Sequence, residues 1–204
     1  MDTFALPDGV APSHVALFLG VAYLLGAIPF GLVLARVFKG IDVREHGSKN
    51  IGATNVARTA GKPLGILTLA LDAAKGAAPV VFAHQQSWGW LAAAGGLVAV
   101  LGHVFPVYLK FRGGKGVATA AGVFAALSPV PTAIALGVFV LVVAPFRVVS
   151  AGSLAASVAL VGATVALDEP KPIVGLAGVV AVVIFVRHRG NIRRLVFGQE
   201  NRVD

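Results

Sequence analysis

Apolar residues gather in seven runs along the chain, at roughly 14–38, 63–84, 88–104, 117–130, 131–146, 150–167 and 172–186, separated by short polar segments. Several runs are shorter than the ~20 residues that a straight helix needs to cross the hydrocarbon core. The fourth is interrupted near its end by Ser128, Pro129 and Pro131 and reads as a short or re-entrant helix. The pattern predicts an all-α integral membrane protein. It is expected to be a seven-transmembrane-helix bundle, with residues 1–204 forming a single polytopic domain.

Composition supports that reading. Hydrophobic residues make up 57% of the chain and charged residues only 13%, where a soluble domain of this length carries roughly a quarter. Mean hydropathy is +0.85. Such a chain has too little polar surface to coat a globule in water, so lipid must solvate much of it. The 25 glycines and many alanines suit close helix approach inside a membrane. With no cysteine, disulfides, zinc thiolates and cysteine nucleophiles are all excluded.

The formal net charge of +8 raises the question of nucleic acid. The basic residues, however, sit in short segments between apolar runs, which fits membrane topology and anionic substrates instead. The first thirteen residues hold Asp2 and Asp8 and no Lys or Arg, unlike the positive start of a secretory signal. With seven spans and the N-terminus outside, 15 of the 17 Lys and Arg fall on the inner side. Lys171 lies outside with Asp168 and Glu169, and Lys75 lies within the second span. That bias follows the positive-inside rule, and it puts the C-terminus and the chemistry in the cytoplasm.

Four inner segments hold the unusual residues. The first, Gly47-Ser48-Lys49-Asn50-Ile51-Gly52-Ala53-Thr54-Asn55-Val56-Ala57-Arg58, alternates small donors with glycine. Successive backbone amides there can form an anion nest; Ser48, Asn50, Thr54 and Asn55 can donate to phosphate oxygens, and Arg58 offers a bidentate fork. The plainer alternative is an ordinary polar loop. The second runs from Gly102-His103-Val104-Phe105-Pro106 to Phe111-Arg112-Gly113-Gly114-Lys115-Gly116, with three cations just before a new apolar run, as in a phosphate site near a helix N-terminus. It is not a P-loop, because Leu109 and Gly116 stand where that motif needs Gly and Ser or Thr. Lys110 and Arg112 read equally well as interface anchors. The third, Arg147 to Ser153, is a short turn in which Ser150 could simply cap a helix. The fourth is the tail Arg187-His188-Arg189-Gly190-Asn191-Ile192-Arg193-Arg194-Leu195, ending Gly198-Gln199-Glu200. His188 and Asn191, three apart, share a helix face, while Arg193 and Arg194 could bind anionic lipid. Within the second span, Asp72 and Lys75 are three apart at mid-membrane depth, as either a neutralised pair or a substrate contact.

Taken together these segments resemble the bacterial membrane acyl-phosphate:glycerol-3-phosphate acyltransferases, over nearly the whole chain. Residues 47–55 are similar to that family's GSxNxGATN signature, and residues 102–116 to its GHxFP…FxGGKG signature. His188 to Leu195 resembles its H-x-x-N-I-x-R-L segment, and Arg147 to Ser153 its R-x-V-S-x-x-S stretch. Lys49 and Ile51 stand where the family often has Gly and Pro; the donors stay in place and only loop rigidity changes.

The resemblance implies transfer of a fatty acyl group from acyl-phosphate to the 1-hydroxyl of glycerol 3-phosphate. The products are lysophosphatidic acid and phosphate, made at the cytoplasmic face of the cell (inner) membrane in the first acylation of phospholipid synthesis. It also implies a site without metal or cofactor and partners limited to substrates and membrane lipids, with no nucleic acid and no obligate protein partner. Lys115, Arg58, Ser150, His188 and Asn191 are expected to serve the glycerol phosphate, with Gly113 and Gly114 in the same cradle. Ser48, Asn50, Thr54 and Asn55 are expected to hold the acyl-phosphate. The hydroxyl proton goes either to a substrate phosphate oxygen or to His188. Thioester-type acyltransferases with His followed five positions later by Asp are excluded, since Leu19, Ile51, Gly89, Tyr108 and Arg193 occupy those positions. A small membrane anion transporter is the rival class, but no inverted repeat is visible and the donors cluster on one face, not at the midplane.

Overall fold

The computed structural model describes residue 6 and residues 9–203; the acidic positions Asp2 and Asp8 lie outside the described residues. All regular structure among the described residues is helical. The ten α-helices are α1 (Pro12–Ala27), α2 (Phe30–Lys39), α3 (Ala53–Ala60), α4 (Lys62–Gln85), α5 (Trp90–Val104), α6 (Val117–Leu127), α7 (Pro129–Phe146), α8 (Val149–Ala166), α9 (Lys171–Arg187) and α10 (Arg189–Val196). Among the described residues, four stretches are long and apolar enough to cross a membrane, and the bent pairs α1–α2 and α9–α10 qualify when each is taken as one span. α6 is apolar but shorter, as its interrupted run suggested. The helices divide into two compact units, Met1–Val123 and Phe124–Asp204.

Proline accounts for two of the departures from simple spans. The first apolar run is a single span by composition, but α1 and α2 meet at a 41° bend. Pro29 has no N–H to donate and pushes Ile28 out of the helical region, to ψ 118. Pro129 and Pro131 sit in the first turn of α7, where a missing N–H costs nothing, so that run splits at Ser128. α2 ends on Gly40 at φ 65, whose N–H bonds the Arg36 carbonyl while Ile41 N–H reaches Ala35. That left-handed exit turns the chain into the first polar segment. The segment itself differs from a plain loop, because its second half is the helix α3 and Arg58 lies on it.

Within the first unit, glycine permits close packing. Gly26 on α1 lies against the Ala99 backbone of α5, and Gly76 and Gly122 bring α4 and α6 backbone to backbone. A Cβ at any of the three would strike main-chain atoms, so each Gly→Ala change forces helices apart. The helix sides away from these seams carry exposed Leu17, Val21, Ile66 and Leu69. In the second unit α8 packs between α7 and α9, and Leu136, Leu141, Val158 and Val182 are exposed. Exposed aliphatic surface of this extent matches contact with lipid tails.

Candidate active site

The first polar segment is built around one side chain. Asn55, in the first turn of α3, is only 2% exposed. Its Nδ2 donates to the carbonyls of Val43 (2.8 Å), His46 (3.1 Å) and Asn50 (2.8 Å), and its Oδ1 accepts from Ser48 N–H (2.8 Å). Asn50 Oδ1 in turn accepts from Gly52 N–H at 2.9 Å. Asn55 therefore spends its amide on the segment's own backbone and fixes its path. Ser48, Thr54 and Arg58 are exposed along that path. Lys49 holds φ 58, a left-handed conformation that explains why glycine suits this position. Upstream, Asp42 accepts from Arg44 Nε at 2.9 Å and Nη2 at 2.6 Å and from Arg36 at 2.5 Å. The Arg44 guanidinium, with Arg36, holds the Asp42 carboxyl well below the usual carboxylate range, against the opposing pull of burial.

The second polar segment leaves α5 after Val104 and turns through Val107–Leu109, where Leu109 packs on the cluster of Leu32, Val43, Ile51 and Val56. The two segments thereby meet, and a cavity of about 470 Å³ is lined by Arg44, Tyr108, Leu109, Lys110 and Arg112. The chain then doubles back on α5. Gly113 N–H donates to the Val104 carbonyl (3.2 Å) and Gly114 N–H to the His103 carbonyl (3.1 Å). Both glycines press so closely on His103 and its neighbours that a Cβ at either would collide with them. Lys115, partly buried, follows directly and precedes the first turn of α6.

In the second unit the sequence-predicted residues Ser150 and Asn191 come together on a carboxylate that sequence reasoning had left without a role. Glu200 Oε1 accepts from Ser150 Oγ at 2.9 Å and Asn191 Nδ2 at 2.5 Å; Oε2 accepts from Arg194 Nε at 2.7 Å. Val203 N–H closes the tail onto the Arg147 carbonyl at 2.8 Å. Burial pushes the Glu200 carboxyl up, but the three donors outweigh it and hold the group below its ordinary value of 4.5. His188 stands at the N-cap position of α10, makes no side-chain cap bond, and is 2% exposed. Its Nδ1 lies 2.8 Å from the Ile184 carbonyl. A carbonyl only accepts, so Nδ1 carries a hydrogen. Arg194, read as a lipid contact, is committed to Glu200, while Arg193 is exposed.

Glycine-bound amides, a lysine and hydroxyl and amide donors make a chemistry of anion binding. Over residues 16–198 the chain matches the family model described as Glycerol-3-phosphate acyltransferase. The chain belongs to that acyltransferase family. It is 49% identical over 184 residues to the glycerol-3-phosphate acyltransferase of Geobacter sulfurreducens, covering 89% of this chain and 94% of that one. The Myxococcus xanthus enzyme of the same name is 48% identical over 184 residues, at 89% and 96% coverage. Among solved structures, the integral membrane glycerol 3-phosphate acyltransferase PlsY in its glycerol 3-phosphate form is 40% identical, with a TM-score of 0.89 over 93% of this chain and 96% of that one. Its lysophosphatidic acid form gives 0.87 over 93% and 95%. The protein is thus an all-helical, multi-pass membrane acyltransferase, as the resemblance of its polar segments implied.

Proposed function

We propose that the protein transfers a fatty acyl group from acyl-phosphate to the 1-hydroxyl of glycerol 3-phosphate, releasing lysophosphatidic acid and inorganic phosphate. The observation that carries this is the pairing of family membership with a donor set made for phosphates, in a chain that has no cysteine nucleophile. A solved relative described in glycerol 3-phosphate and lysophosphatidic acid forms supports the acceptor and the product. For the donor, the argument is chemical. An acyl-phosphate is a mixed anhydride whose phosphate leaves readily, so catalysis requires orientation and charge neutralisation.

In the step itself, the 1-hydroxyl oxygen attacks the acyl carbonyl carbon and the bond from that carbon to the phosphate oxygen breaks. The hydroxyl proton leaves on a phosphate oxygen. Lys115, with the amides around Gly113 and Gly114, and Arg58 neutralise phosphate charge. Ser150, His188 and Asn191 supply polar contacts to the glycerol phosphate. Ser48, Asn50 and Thr54 hold the acyl-phosphate, and Asn55 keeps their backbone in shape. The whole chain works as one polytopic domain of seven spans, with α1–α2 and α9–α10 each counting as one and α6 as the short one. The charge bias supports an outer N-terminus, a cytoplasmic C-terminus and a site on the cytoplasmic face of the inner membrane.

A donor exchange tests the reading. Detergent-purified protein given glycerol 3-phosphate should form lysophosphatidic acid from palmitoyl-phosphate, in chelator and without nucleotide. Formation from palmitoyl-CoA alone, with none from the acyl-phosphate, would overturn it.

A further inference from the structure

Deep in the first unit lies a charged cluster that the reaction above leaves without a role. Asp72 and Lys75 on α4 and His103 near the end of α5 are exposed by only 2%, 3% and 4%. Lys75 Nζ lies 2.7 Å from Asp72 Oδ1 and donates to the Ile28 carbonyl, also at 2.7 Å. It stands 5.6 Å from the centre of the Phe30 ring. Lys75 thus meets the backbone at the Pro29 break, and its charge is answered on three sides.

Asp72 faces a second partner. Its Oδ1 is 3.7 Å from His103 Nδ1, within ion-pairing distance of a protonated ring and favourably placed for the N–H dipole of a neutral one. The other ring nitrogen faces the second polar segment: Nε2 is the atom that a Cβ on Gly114 would strike first. The His103 carbonyl also receives the Gly114 N–H at 3.1 Å. The imidazole is therefore wedged between a buried carboxylate and the glycine turn that delivers Lys115. Stability alone does not call for such a cluster, because buried ion pairs are often replaced by apolar side chains at no cost.

We propose that Asp72 is a positioning residue for acyl transfer, acting through His103 to fix the Gly113–Lys115 turn against the phosphate of glycerol 3-phosphate. The inference rests on the reading of Lys115 as a phosphate contact. Asp72 does not touch substrate. Its carboxylate lies 3.7 Å from one nitrogen of a ring whose opposite edge shapes the turn, an electrostatic contact that biases the ring's position, and a turn misplaced by an ångström loses its alignment with a phosphate.

The test is steady-state kinetics of purified Asp72→Asn, an isosteric change, with each substrate varied in turn. The KM for glycerol 3-phosphate should rise by about 10- to 100-fold, with the KM for palmitoyl-phosphate and kcat nearly unchanged. Because Lys75 would be left with an unpaired charge, Asp72→Asn/Lys75→Met is measured in parallel and should give the same selective rise. His103→Gln should reproduce it, and combining it with Asp72→Asn should add little, since both act through one ring. Unchanged KM in folded variants, an equal loss towards both substrates, or failure of both Asp72 variants to fold would overturn the proposal. Lys115→Ala separates the two levels. Full activity there would remove the phosphate reading itself, whereas an inactive Lys115→Ala beside an unaltered Asp72→Asn would remove this inference alone.

Discussion

The first polar segment and the C-terminal tail both hang on a buried asparagine, but the two are held in different ways. Asn55 is satisfied by neutral backbone groups on every side. Asn191 shares a carboxylate with Ser150 and an arginine. The first arrangement is indifferent to pH and salt. The second depends on Glu200 staying ionised, and it orients Ser150 and Asn191, the side chains proposed to contact the glycerol phosphate. Two asparagines that look alike in sequence are thus a fixed scaffold and a charge-dependent clasp.

The largest effect lies outside both, at the glycine turn that delivers Lys115. Lys115→Ala should remove nearly all activity while leaving folded yield intact, whereas Lys110→Ala, on the rim of the open cavity, should be mild. Equal losses would mean that general positive charge matters and not one contact. Next comes Asn55→Ala, which orphans up to four backbone groups around a buried site. At about 1–3 kcal/mol for each group that water cannot reach, the melting temperature in detergent should fall by many degrees at any pH between 5 and 8. Loss of activity with an unchanged melting temperature would instead make Asn55 a substrate ligand.

Glu200→Gln should destabilise less, by about 1–2 kcal/mol at neutral pH, since solvent reaches part of the clasp. The sign of its pH dependence follows from the lowered carboxyl. The wild-type advantage over Glu200→Gln should be full above the ordinary value of 4.5 and shrink as pH falls below it, once the native carboxylate takes up a proton. An advantage that grows in acid would contradict the clasp. The smallest effect is Lys49→Gly, which removes a left-handed non-glycine residue. It should raise stability by less than about 1 kcal/mol, because the added chain entropy of glycine offsets much of the gain.

Much of this was legible along the chain, and what was hidden shares a cause. Apolar run length located each of α4 to α9 to within a few residues, because lipid demands continuity. Pro29 carried the signal for the break in the first span, but its consequence, a bent carbonyl met by Lys75, depends on a partner 47 residues away. α3 escaped notice because Gly52 precedes it and its residues are polar. The donors at Ser48, Asn50 and Thr54 follow from residue type, yet nothing in the sequence distinguishes Asn55 from them until the backbone closes around it. Glu200 stands nine residues from Asn191 and fifty from Ser150. Only a tail folded back on α8 and α10 turns it from a terminal acid into a shared acceptor.

The central claim is that an acyl-phosphate is consumed and its acyl group passes to glycerol 3-phosphate. The direct measurement follows both products of one reaction mixture, purified protein with palmitoyl-phosphate and glycerol 3-phosphate in detergent and chelator. One phosphate should be released for each lysophosphatidic acid formed, with neither appearing when glycerol 3-phosphate is withheld. Phosphate release that continues without the acceptor, or lysophosphatidic acid formed without equal phosphate, would contradict it.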